Sequence, residues 1–151
     1  MVLLIGYGNR LRRDDGAGAV LPAMVEGGSP LGSVRSVEAH QLLPEMAEEI
    51  AAPEVTGVIF FDACPAAGGM SSVAALPLTA SSGEGALGHH LAPELLLAYA
   101  GKLYGRTPPA WLVTVPGEDF SHGEGFSDRA RANLAEAGRV ARDLVRRLSG
   151  G

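Results

Sequence analysis

Three short runs of this chain are apolar at every position or nearly so: "MVLLI" at 1–5, "GVIFF" at 57–61 and "AWLVTVP" at 110–116. A strand with one face in water alternates apolar and polar residues, whereas a run that is apolar throughout has both faces covered. Between these runs lie segments with apolar residues at helical spacing. "GAGAVLPAMVEGG" from Gly16 predicts a first helix, with Pro22 a weak point in its middle. "LLPEMAEEIAA" predicts a second, with its glutamates outside. A third is expected from about His89 to Tyr104, stopped by Gly105. The last begins at "SDRARANL", with Ser127 as its cap, Asp128 in its first turn and arginines in its last.

Two further strands complete the pattern. "VRSVEA" at 34–39 is short, and "SSVAALPL" at 71–78 contains Pro77, which places it at or near a sheet edge. Strands alternating with helices imply an α/β fold, a three-layer α/β/α sandwich on a five-stranded, mostly parallel sheet. The third and fourth strands are joined only by "CPAAGGM", too short for a crossover helix, so strand four is expected to run antiparallel. A chain of 151 residues suits one domain over 1–151 with a substantial core.

The net charge of −5 argues against nucleic acid and against an anionic membrane surface as partners. No apolar run reaches a membrane span, no signal segment opens the chain, and Cys64 is the single cysteine. A reducing cytoplasm is the expected setting.

The chemistry is concentrated where strands end. "GYGNRLRRDDGAG", Gly6 to Gly18, follows the first strand and is longer and more acidic than a turn requires. It is not a dinucleotide fingerprint, because Leu11 stands where the third glycine belongs. A phosphate loop ending in Gly-Lys-Ser/Thr and a Gly-x-Ser-x-Gly elbow are both missing from the sequence. In open α/β sheets, sites form outside the carboxyl ends of the parallel strands. Four loops meet there: the glycine-rich loop, "HQLLPE" after strand two, Asp62 closing strand three, and "GEDFSHGEGFS" after strand five. The roughly ten-residue loop "TASSGEGALG" is long enough to return His89 to the same edge. Asp15, Asp62 and His89 would then form a cluster of two carboxylates and one imidazole, suited to zinc, nickel or iron. Each member also has an ordinary reading. Asp14 and Asp15 are good helix-capping residues, with Asp14 alternatively bracing the loop, Asp62 a strand-end turn residue, and His89–His90 a solvated helix start. Cys64 reads as a small buried hydrophobe.

Taken together, these segments resemble the hydrogenase maturation endopeptidases, and the resemblance covers nearly the whole chain. That family opens with Gly-x-Gly-Asn-x-Leu-x-x-Asp-Asp/Glu-Gly-x-Gly after its first strand, matched here from Gly6 through Gly18. It has an aspartate at the end of strand three, here Asp62 in "VIFFDAC", and a histidine before an apolar helix, here His89 in "GHHLAPELLLAYAGKLYG". "HQLLPE" and "PGEDFSHGEGFSDRARANL" are similar to the branch serving cytoplasmic, multi-subunit hydrogenases. The chain departs from the pattern in having Asp15 where glutamate is common, Gly88 before the histidine, and His90 directly after it, which leaves His89 or His90 open as ligand.

The resemblance implies a metal-dependent or aspartic-type endopeptidase. It would be a cytoplasmic, monomeric enzyme activator that trims the C-terminus of the large-subunit precursor of a nickel-iron hydrogenase. It also implies that nickel comes with the precursor and is met by Asp15, Asp62 and His89. Two other classes compete. A non-catalytic chaperone would bind the precursor or its nickel without cutting. A phospho-receiver domain would need a lysine after the last strand, where this chain has "VPGED". The "HQLLPE" and "GEDFSHGEGFS" loops, polar and glycine-containing, are expected to flank the site, contact the precursor and be mobile.

Overall fold

The computed structural model describes residues 1–66, 72–81 and 91–149. Its sheet has five strands: β1 (Val2–Tyr7), β2 (Val34–Ala39), β3 (Gly57–Pro65), β4 (Ala74–Leu78) and β5 (Ala110–Gly117). Their spatial order is β2-β1-β3-β5-β4. All neighbours run parallel except β4, which lies antiparallel to β5 at one edge. Among the described residues the α-helices are α1 (Ala17–Gly27), α2 (Met46–Ile50), α3 (Pro93–Tyr104) and α4 (Asp128–Leu148).

The wholly apolar strands feed two cores. Val2, Leu4, Ile59, Phe61, Val113 and Val115 pack with α1 and α4 on one face. Leu3, Ile5, Val58, Phe60 and Ala110 pack with α2 and α3 on the other. This is the expected sandwich, with Pro77 on the outer strand, as its lack of an N–H predicts.

Pro22 does not interrupt α1, which runs unbroken through it. The ring is buried over Gly6, where a Cβ would lie 2.6 Å from Pro22 Cδ and 2.2 Å from the Gly18 carbonyl oxygen. Gly6 thus lets strand and helix approach backbone to backbone, and the packed ring offsets the helix bond that Pro22 cannot make.

Other boundaries differ from expectation for local reasons. The second helix begins only at Met46, because Pro44 disfavours helical geometry in Leu43. Leu42 is buried against the α2–α3 core from outside the helix. The third helix begins at Pro93, and Ala92 before it is held extended at φ −80°, ψ 149°. It stops as expected, with Gly105 in the left-handed region at φ 77°. The fourth strand starts at Ala74. The third continues past Asp62 to Pro65, because β5 extends to Gly117 and offers partners for Asp62 through Pro65. Asp62 is therefore a strand residue opposite Thr114 rather than the residue that closes the strand. The α4 cap is as expected, with Ser127 Oγ accepting from the Ala130 N–H at 3.1 Å.

Candidate active site

The glycine-rich loop leaves β1 through Gly8, whose φ of +149° favours glycine and whose Cβ would lie 2.1 Å from the Asp15 carbonyl oxygen. The loop tightens into a 3-10 turn at Arg13–Gly16 and passes into α1. Side chains of successive residues in a three-per-turn helix point about a third of a turn apart. The two aspartates accordingly face different surroundings.

Asp14 points inward and is fully buried. Its Oδ2 accepts from Glu118 N–H at 2.8 Å, Asp119 N–H at 3.0 Å and Ser127 Oγ at 2.6 Å, and its Oδ1 accepts from Ser127 N–H at 2.8 Å. Burial pushes this carboxyl up, but the Ser127 hydroxyl and the Ser127, Asp119 and Glu118 N–H groups outweigh it, and the net shift is downward. Asp14 is thus a brace. It ties the first loop to the segment after β5 and to the cap of α4, rather than capping α1.

The brace has company. Arg13 N–H donates to Gly123 O, Gly123 N–H to Leu11 O, Arg12 Nε to Phe120 O and an Arg13 guanidinium nitrogen to Glu124 O. The "GEDFSHGEGFS" segment is stitched along the glycine-rich loop by these bonds.

Asp15 points the other way, into a cleft of about 310 Å³ at the carboxyl ends of β1, β2 and β3. Its Oδ2 accepts from Asn9 N–H at 2.8 Å, while Asn9 Oδ1 accepts from Leu11 N–H at 2.9 Å. Side chain-to-backbone bonds of this kind are how an asparagine holds a tight loop. Asp62 reaches the same cleft from β3, on the α2–α3 face that also carries Val58 and Phe60. Burial, then the nearby Asp15 carboxylate, push the Asp62 carboxyl up to about 6, against the opposing effects of the Tyr7 hydroxyl and the Ala63 N–H. The Tyr7 phenol is in turn pushed strongly upward by burial and by Asp62.

Two of the three expected site residues therefore share one cleft, and the third, His89, with its neighbour His90, lies outside the described residues. Among the described residues, no group of three or more His, Cys, Asp and Glu side chains stands in metal-holding geometry.

The cleft also contains Tyr7, which the sequence motifs did not point to. Tyr7 stands beside Asp62 because β1 and β3 pair Gly6 with Phe61, which puts the next residue of each strand level and on the same face. His40 and Gln41, from the first half of "HQLLPE", line the rim opposite Leu91. That loop was expected to flank the site, and it does. Cys64 lies two residues beyond Asp62, half-buried, with its thiol pushed up by burial and by the Asp62 charge. That makes it a poor nucleophile.

No protein-family model matches the chain, and no curated protein matches it. Solved structures do. A NiFe hydrogenase maturation protease, HycI from Thermococcus kodakarensis KOD1, superimposes with a TM-score of 0.72 at 17% identity, over 96% of this chain and 92% of its own. The hydrogenase maturating endopeptidase HybD from E. coli gives 0.70 at 19% identity, over 97% and 92%. A hydrogenase 2 maturation peptidase from Thaumarchaeota archaeon SCGC_AB-539-E09 gives 0.62 at 22%, over 95% and 94%. From end to end, this chain has the fold in which hydrogenase maturation proteases have been solved.

Proposed function

We propose that this chain is an endopeptidase that removes a C-terminal peptide from the nickel-loaded large-subunit precursor of a nickel-iron hydrogenase. The observation that carries this reading is the meeting of Asp15 and Asp62 across one cleft, in a fold shared with solved hydrogenase maturation proteases. The Gly6–Gly18 motif supports it, since its turn delivers Asp15 to the cleft.

In this reading nickel is part of the substrate, held by precursor cysteines and met by Asp15, Asp62 and His89. Carboxylate oxygens and an imidazole nitrogen suit such an ion. The bound ion would hold the scissile peptide over the cleft and polarise its carbonyl or a water. Asp62 offers a second route. A carboxyl raised to about 6 is ionised at neutral pH yet near enough to it to take a proton from the attacking water. We place the protein in the cytoplasm, as a monomer that meets its precursor there; its single cysteine suits a reducing compartment.

Purified protein incubated with nickel-loaded precursor is expected to shorten it at the C-terminus, read by mass, and to leave nickel-free precursor intact. Binding without mass loss would identify a chaperone instead. Equal cleavage of both precursors would remove nickel recognition and leave a plainer protease.

A further inference from the structure

Beside the cleft is a second groove of about 280 Å³ that shares Gly8 and His40 with it, so the two are continuous. Its walls are the glycine-rich loop at Asn9, Arg10 and Leu11, and the end of β2 at Glu38. Leu11 is 61% exposed there. An exposed leucine on a loose loop means little, but this one is held. Its N–H donates to Asn9 Oδ1 at 2.9 Å, and its carbonyl accepts from Gly123 N–H at 2.8 Å. Asn9 is bonded to Asp15 in turn. The fold therefore holds the backbone that presents this apolar side chain to water, one hydrogen-bonded residue away from the carboxylate of the candidate site.

The groove is also electrically balanced. Arg10 Nε donates to Glu38 Oε2 at 2.7 Å, and a second guanidinium nitrogen pairs with Oε1. Its arginine and its glutamate are paired with each other, so the groove offers a charged ligand residue little net attraction. It suits an uncharged one.

We propose that this groove is a substrate subsite: the precursor segment next to the scissile bond lies extended in it and places an apolar side chain on Leu11. The inference rests on the protease reading above and adds to it the chemistry of a neighbouring substrate residue. Covering a leucine exposed to this degree strengthens binding by about tenfold at ordinary transfer values. The gain is made in the ground state and the transition state alike, so it acts on KM rather than kcat.

The test compares wild type, Leu11→Asp, Leu11→Met and a control, Leu103→Asp, whose leucine is 67% exposed near the far end of α3. Cleavage of nickel-loaded precursor gives kcat and KM, and thermal melting checks each fold. Leu11→Asp is expected to raise KM about tenfold or more with kcat within about twofold and the melting temperature unchanged. Leu11→Met and Leu103→Asp are expected to match wild type. An unchanged KM in Leu11→Asp overturns the subsite, as does a fall in kcat alone, which would mark Leu11 as a support for Asp15. Should Leu11→Asp melt early, Leu11→Ser takes its place under the same criteria. If wild type cuts no precursor, the protease reading fails. The subsite is then judged by anisotropy of a labelled precursor C-terminal segment, where equal affinity for wild type and Leu11→Asp overturns it.

Discussion

Asp14 and Asp62 are the same residue type, both withdrawn from water, and their surroundings shift them in opposite directions. Four donors converge on Asp14, and its carboxyl is held low. Asp62 faces a second carboxylate in a cleft, and its carboxyl is pushed up to about 6. The first pocket is satisfied by the fold, so its charge stabilises the native state. The second is left with attraction to spare, so its charge costs stability and is free to be spent on a cation or a proton. The difference separates a structural carboxylate from a functional one more reliably than burial does.

The comparison can be broken most severely at Asp62. Asp62→Asn keeps the shape and removes the charge, and it is expected to lower precursor cleavage by on the order of 10²–10⁴-fold. The melting temperature should hold or rise, since the substitution relieves repulsion from Asp15. Cleavage near the wild-type rate, read by C-terminal mass, would show that Asp62 does no chemistry.

Asp14→Asn should behave in the reverse manner. An amide nitrogen would face donors that now point at a carboxylate, and buried N–H groups of Glu118, Asp119 or Ser127 would lose their acceptor. A loss of about 3 kcal/mol is expected, a fall in melting temperature of roughly 10 °C for a chain of this size. Denaturant unfolding measures it. A change below about 0.5 kcal/mol would make the brace an incidental contact.

The finest distinction lies in pH. A carboxyl raised to about 6 in the folded protein, against about 3.9 unfolded, binds more protons folded than unfolded between those values. Stability should therefore fall as pH rises from about 4 to 6, by up to about 3 kcal/mol, and Asp62→Asn should flatten that fall. Asp14 acts in the opposite sense. Its stabilisation is present above the unfolded value and is lost as pH drops through the lower folded one, so Asp14→Asn should lessen the loss below about pH 4 while Asp62→Asn leaves it in place. Denaturant midpoints across pH 3–8 for the three proteins test both. Parallel curves would abolish the contrast.

Much of the fold was legible because the strands are apolar on both faces, a pattern few other arrangements permit. The short link before β4 revealed its direction, and Pro77 its place at the edge. That Asp15 rather than Asp14 would reach the site was legible, but whether Asp14 would brace the loop or cap the helix was not. The tight turn at Arg13–Gly16, together with the donors at Glu118, Asp119 and Ser127, sends Asp14 inward and leaves Asp15 to the cleft. The extra length of β3 was hidden because strand pairing with β5, not local preference, carries it past Asp62. Tyr7 was hidden for a similar reason: it matters through the register of β1 on β3, whereas His40 lies in the loop expected to flank the site.

The brace at Asp14 also sets an order of assembly. Its partner Ser127 lies 113 positions further along the chain, and contacts of such separation form late because closing the loop between them is entropically costly. During synthesis both cleft carboxylates leave the ribosome long before the hydroxyl and amides that seat the turn beside them. A nascent chain therefore displays Asp15 and Asp62 without the scaffold that aims the first of them. The cleft takes its final form only when the start of the last helix swings back onto the first loop.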